Sequence, residues 1–140
     1  MNKPINSKSF IFDIKTVKDQ RGCLSSIETL IDMPIEIKRI FYMHHVVTDR
    51  GGHAHTDTDQ VIIVMSGSVK IRLFDGENTE EYIINDCTKG LYVPRLTFTD
   101  LYDFSKDAVC LVLANTHYDM KKSLRNRHDY LEYLKNNAHG

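Results

Sequence analysis

The sequence is short of cysteine, of basic excess and of long apolar runs, and each shortage removes a class of protein. Its three cysteines, Cys23, Cys87 and Cys110, are odd in number and show no C-x-x-C spacing, which argues against a disulfide framework and for a reducing compartment. No stretch approaches the roughly 20 apolar residues that a membrane span needs. The opening MNKPINSKSF lacks the apolar run of a signal peptide. A cytoplasmic protein with no membrane partner is expected. Lys and Arg number 18 against 19 Asp and Glu, for a net charge of −1, so no bulk field draws the chain to nucleic acid. An anionic ligand must be caught by a local cluster of basic side chains. Repeats, low-complexity tracts and Pro/Gly linkers are absent too, and 140 residues suit a single domain over 1–140.

What is present is a series of short runs rich in Val, Ile, Phe and Tyr, broken by turn residues. They read as strands at Ser9 to Ile14, Gly22 to Thr29, Ile37 to His44, Gln60 to Ser66 and Ser68 to Phe74, then Glu80 to Ile84, Gly90 to Val93, Thr97 to Phe104 and Ala108 to Asn115. In Val69-Lys70-Ile71-Arg72-Leu73 apolar and basic residues alternate with the period of a strand that has one wet face, and Asp75-Gly76 reads as the hairpin turn after it. So many short strands argue for a sandwich or barrel. From about Lys122 to Lys135 the spacing of Leu124, Tyr130, Leu131 and Leu134 predicts a terminal helix. The fold class expected is all-β with a short C-terminal helix.

The most informative stretch is Arg50-Gly51-Gly52-His53-Ala54-His55, closing at Gly67. Residues two apart on a strand point to one face, so both imidazoles can enter one cavity. The spacing resembles the first cupin motif, and Gly90 to Thr99 resembles the second. In metal-binding cupins an acid and a third histidine complete the ligand set. The matching positions here are Gln60, an amide, and Thr99, a hydroxyl, while Asp59 would face away. No metal is therefore expected, since transition-metal sites want three or more imidazole, thiolate or carboxylate donors. Histidine titrates near pH 6.5, so a general-base role for the pair is favoured over a purely packing one.

Arg21, Arg39, Arg50, Arg72 and Arg95 are candidate grips for an anion, since a guanidinium can donate two parallel hydrogen bonds to a diphosphate. A charged residue on a strand more often marks a solvated face, and Lys38 and Lys70 are read that way. Tyr42 is the aromatic of interest, because its hydroxyl could meet a sugar oxygen. His44, His45, His117, His128 and His139 show no comparable spacing and receive no role.

With those residues in view, the chain resembles the dTDP-sugar 3,4-ketoisomerases from about Ile11 to Leu134. The resemblance rests on the order of Arg21-Gly22 with Leu24; Pro34 with Ile37-Lys38-Arg39 and Tyr42; the Arg50 to His55 motif; Gly67-Ser68; Gly90 to Val93; Asp103-Phe104; and Tyr118-Asp119. It implies a jelly-roll cupin, a homodimer with exchanged strands, a dTDP-linked 4-keto-6-deoxyhexose as substrate, no cofactor and no metal. It places His53 and His55 beside the hexose, with Tyr42 as a third catalytic candidate. Arg21, Arg39, Arg50, Arg72, Arg95, Tyr92, Thr99 and Asp100 are carried as substrate-binding candidates. The chain departs from the family pattern at Arg95, Leu96, Phe98, Thr99 and Asp100, on a strand that would shape the hexose pocket and so the C4 configuration of the product. The implied reaction has His55 removing the C3 proton, an enediolate across C3 and C4, and reprotonation at C4, as in the making of unusual sugars for lipopolysaccharide or S-layer glycans. A 3,5-epimerase of the same substrate, a metal-dependent oxygenase and a non-catalytic sugar-nucleotide-binding cupin are the alternatives.

Overall fold

The computed structural model describes residues 8–31 and 33–138, so His139 lies outside the described residues. Twelve strands run in chain order: β1 (Phe10–Asp13), β2 (Thr16–Asp19), β3 (Gly22–Ser25), β4 (Arg39–Met43), β5 (Arg50–His55), β6 (Gln60–Ser66), β7 (Val69–Phe74), β8 (Thr79–Ile84), β9 (Lys89–Val93), β10 (Phe98–Tyr102), β11 (Val109–Ala114) and β12 (Ser123–Leu124). The helix α1 (Arg127–Asn136) follows. Two five-stranded antiparallel sheets, ordered β1-β9-β6-β11-β4 and β12-β5-β10-β7-β8, form the body, and β2 and β3 pair only with each other.

The pleat explains the layers. Along β6, Ile62 and Val64 join Leu91 and Val112 of their own sheet and Val69, Ile71, Leu73 and Leu101 of the other in one buried cluster, the space between the sheets. The alternate residues Val61 and Ile63 face outward, where Ile14, Met33 and Ile35 cover them. A strand covered on both faces must be apolar throughout, hence the run Val61-Ile62-Ile63-Val64. Each such fully buried Val or Ile stabilises the fold by about 1.5–3 kcal/mol.

The C-terminal expectation needs a correction. The segment before Asn126 is not helical: Met120–Lys122 form a 3-10 turn capped by Asp119, and Leu124 pairs with Ala54 as part of an edge strand. The helix starts only where the Asn126 side chain accepts a hydrogen bond from the Asp129 amide. Tyr130, fully buried, packs with Ala54 and Phe98 on the outer face of the second sheet, and its hydroxyl donates to the carbonyls of Leu96 (2.7 Å) and Phe74 (3.1 Å). Leu131, expected on the same packed face, is exposed instead. The expected strand from Gly22 to Thr29 stops at Ser25, and the partner strand β2 was not foreseen.

Candidate active site

The two histidines owe their direction to what surrounds β5. Ala54, between them, is buried against Tyr130 and Phe98, so its neighbours His53 and His55 must point the other way, between the sheets. Gly51 and Gly52 take φ of +89° and +73°, conformations that residues with a side chain rarely adopt. At Gly51 a Cβ would also lie 2.6 Å from the Thr99 carbonyl oxygen. This close approach lets β5 lie against β10 with His53 opposite Thr99, next to a bulge between Thr99 and Asp100. Gly51→Ala is expected to destabilise the fold by about 1–3 kcal/mol from backbone strain alone. Urea unfolding measures that loss, and unchanged stability would mean that β5 and β10 can separate freely.

The rings of His53 and His55 sit edge to face with centroids 5.0 Å apart. They line a cavity of about 480 Å³, open solvent included, together with Phe41, Met43, Arg50, Gln60, Thr99 and the aliphatic side chains of Ile62, Leu101 and Val112. Ser123 Oγ lies 3.4 Å from His55 Nδ1, which leaves Nε2 as the nitrogen turned to other partners. Burial, then the neighbouring His53, then the Arg39 cation push the His55 pKa down to about 4. Burial lowers His53 as well. Both rings are therefore neutral at cellular pH and able to accept a proton.

This has a consequence for stability. The folded chain protonates His55 only near pH 4, whereas an unfolded histidine does so near 6.5. Between those values the unfolded state binds more protons, so stability is full above about pH 6.5 and falls as the pH drops toward 4. The His55 contribution lost is on the order of 3 kcal/mol. His55→Asn should flatten the fall in urea-derived stability between pH 7 and 5; an equal slope in both proteins would show that His55 titrates normally.

Cupin barrels often hold a metal, through donors that face the cavity. Besides the two imidazoles, the cavity offers only the Gln60 amide and the Thr99 hydroxyl, which donates to the Thr97 carbonyl (3.3 Å). Among the described residues no group of three or more His, Cys, Asp or Glu side chains is placed to hold a metal ion. These donors do not fit a divalent transition metal.

Of the residues expected at the site, His53, His55, Arg50 and Thr99 line the cavity. Arg39 shares the inward face of β4 with Phe41 and Met43, at the end of the strand whose row runs through Ala114 to Gln60. The others are elsewhere. Tyr42 lies on the opposite face of β4, exposed, with its ring against His44. Tyr92 faces outward and packs on Phe10 with ring centroids 5.0 Å apart. Arg72, on the outer face of β7, pairs with Glu81 and lies over the Tyr102 ring, and Asp100 lies opposite it on that side. Arg95 is held by both carboxylate oxygens of Asp59 (3.2 Å each), which also accepts from the Arg95 and Asn115 nitrogens, so it clamps the turn before β10. Arg21 stands at the exposed tip of the β2–β3 hairpin, paired with Asp19. Phe41, Met43 and Ser123 were missed, and Gln60 was weighed only as a metal-ligand position. The period of two along β4 could have found the first two, since Phe41 and Tyr42 cannot share a face.

A cavity between two antiparallel sheets, lined by a pair of imidazoles that burial keeps neutral, belongs to a cupin-like barrel. The same fold, at 12% identity and a TM-score of 0.71, is found in the rmlC epimerase of Mycobacterium tuberculosis, covering 89% of this chain and 72% of that one. The family model FdtA, described as WxcM-like, C-terminal, matches residues 7–135. A TDP-4-oxo-6-deoxy-alpha-D-glucose-3,4-oxoisomerase of Aneurinibacillus thermoaerophilus is 34% identical over 135 residues, 95% of this chain and 92% of that one. The 3,4-ketoisomerase QdtA of Thermoanaerobacterium thermosaccharolyticum, solved with TDP, superposes with a TM-score of 0.88 at 35% identity, over 94% of this chain and 98% of that one. A histidine-to-asparagine variant of QdtA has been solved with TDP-4-keto-6-deoxyglucose. The chain belongs to the FdtA family of sugar 3,4-ketoisomerases.

Proposed function

We propose that the protein moves the keto group of dTDP-4-keto-6-deoxy-glucose from C4 to C3. The observation that carries this reading is the pair of neutral imidazoles side by side in the cavity. A C–H bond beside a ketone is acidic because the resulting negative charge spreads onto oxygen. His55 takes the C3 proton, leaving an enediolate across C3 and C4. The O3 proton passes to O4, and the imidazolium, having exchanged its proton with solvent, protonates the ring at C4. Bonds broken and formed balance, and the electrons move only within the sugar, so no redox cofactor enters. His53 donates a hydrogen bond to oxygen during the transfer. Tyr42 has no part in this, because its hydroxyl is on the other face of β4. Arg50, at the cavity rim, holds the diphosphate, so that binding energy remote from the reacting carbons aligns them.

The active form proposed is a homodimer with exchanged strands, in the cytoplasm, working without a metal on a sugar bound for a surface glycan. Support for the dimer comes from the β2–β3 hairpin, which presents Val17 and Leu24 to solvent and, among the described residues, pairs with no other strand. A lone two-stranded hairpin is at best marginally stable in water. Its apolar side chains need cover, and a second copy supplies it.

Proton NMR of the protein with dTDP-4-keto-6-deoxy-glucose in heavy water tests the reaction. A 3-keto product carrying solvent deuterium at C4 is expected, and its couplings give the C4 configuration. Deuterium at C3 and C5 with the ketone still at C4 would mean an epimerase. An unchanged spectrum from folded protein would leave a binding module.

A further inference from the structure

Arg39 is a cation with no visible counter-charge. Among the described residues it makes no ion pair and no hydrogen bond, and its Nε is buried without a partner. The guanidinium instead lies near two rings, with Cζ 5.2 Å from the Phe41 centroid and 5.3 Å from that of Tyr118. Phe41 is a wall of the histidine cavity, and Arg39 follows it on the same inward face of the strand. Leaving a buried donor without a partner is costly, so the Nε of this partly buried side chain is expected to meet an anion when the site is filled. The two rings fix the side chain in advance, which spares an entropic loss when that anion arrives.

We infer that Arg39 is a catalytic residue that stabilises the negative charge of the enediolate, and is not a grip on the diphosphate. The inference rests on the ketoisomerase reading and adds to it the group that answers the charge formed in the transition state. Two diphosphate oxygens would be served equally well by Arg50 at the rim. Arg39 instead lies on the inward face of β4, two residues from the cavity wall Phe41 and on the row that runs through Ala114 to Gln60 of the cavity, and its charge is one of the causes that hold the His55 pKa down. The strand also offers no hydroxyl for the purpose, since Phe41 lines the cavity and Tyr42 faces away. A guanidinium is a suitable substitute because it can donate two parallel hydrogen bonds and keeps its charge at any working pH.

The experiment compares wild-type protein, Arg39→Met and Arg39→Lys by three measurements: turnover of dTDP-4-keto-6-deoxy-glucose, calorimetric affinity for TDP, and the pH profile of kcat/KM. For Arg39→Met, kcat should fall by about 10²–10³, the range seen when one oxyanion donor is removed. Its TDP affinity should match wild type, and the acid limb of kcat/KM should move to higher pH as His55 loses a neighbouring cation. Arg39→Lys should keep the acid limb in place and recover part of kcat. Weakened TDP binding with kcat intact would make Arg39 a diphosphate grip and overturn the inference. So would a fall in kcat with an unmoved acid limb, which is what a merely structural role gives. If Arg39→Met does not fold, Arg39→Lys decides, with lower kcat at unchanged TDP affinity expected and the reverse pattern fatal. Wild-type protein that binds TDP without turnover would sink the isomerase reading and this inference together. Wild-type turnover with an equally active Arg39→Met would sink this inference alone.

Discussion

His55→Asn is expected to bring turnover down by about 10²–10⁴, the usual share of a general base, while TDP affinity stays at the wild-type value. Asparagine fills most of the imidazole volume and can still meet Ser123, but it has no basic nitrogen. The substitution therefore removes proton transfer and leaves the cavity walls in place, and the nucleotide is bound by groups other than His55. The free enzyme's acid limb carries a second signature. Because burial, His53 and Arg39 push His55 down to about 4, kcat/KM of the wild-type protein should decline well below the 6.5 of ordinary histidine. Substrate assays from pH 4.5 to 8, paired with calorimetry, measure both. Activity within about tenfold of wild type, a difference of only about 1.4 kcal/mol in the barrier, would mean that His55 is not the base.

The low pKa does not make His55 too weak to act. In the empty cavity burial, the His53 imidazole and the cations of Arg39 and Arg125 oppose its protonation, with Asp57 as a carboxylate working the other way. In the proposed reaction His55 takes the C3 proton, and a negative enediolate forms beside it. The imidazolium then gains an opposite charge in a place shielded from water, where such an attraction is stronger than in bulk. Burial that penalises the charged base before the reaction thus becomes a driving term during it.

The strands were legible because apolar runs and turn residues alternate, and β6 and β7 lie within a residue of where the pattern puts them. The histidine pair was legible for the same reason, since the period of two needs no tertiary knowledge. What could not be read was anything set by contacts between distant segments. Leu124 fits a helical stripe by spacing, yet its pairing with Ala54 draws it into the sheet, and the helix waits for the Asn126 cap. Arg95 reads as a free guanidinium until Asp59, far off in sequence, is found holding it. A bulge at Thr99 and Asp100 and two glycines of positive φ in β5 interrupt the pleat, so Arg50 reaches the cavity from a position that strict alternation would send outward. Tyr42 and Arg39 could not both have faced the hexose, since residues three apart on a strand point to opposite sides. That conflict was visible in the sequence.

Arg21 leads to the last prediction. It lies outside the histidine cavity of its own chain, at the tip of a hairpin that pairs with no other strand among the described residues. Its one partner is Asp19, in an ion pair fully open to solvent that could be exchanged for a ligand phosphate at little cost. If the hairpin crosses to a second copy, as the proposed strand exchange requires, Arg21 serves that copy's site. Arg21→Ala and His55→Asn would then each be inactive as homodimers, for different reasons. In a mixed dimer, the subunit that keeps His55 receives an intact Arg21 from its partner, and the other site lacks both. Co-refolding equal amounts of the two variants should therefore restore roughly a quarter of the wild-type activity, the share expected from random pairing into two-fold dimers. Restoration requires both the exchange and the role of Arg21 in the partner's site. No recovery from a refolded, confirmed mixed dimer would place Arg21 with its own chain's histidines. An Arg21→Ala homodimer as active as wild type would remove it from the site altogether.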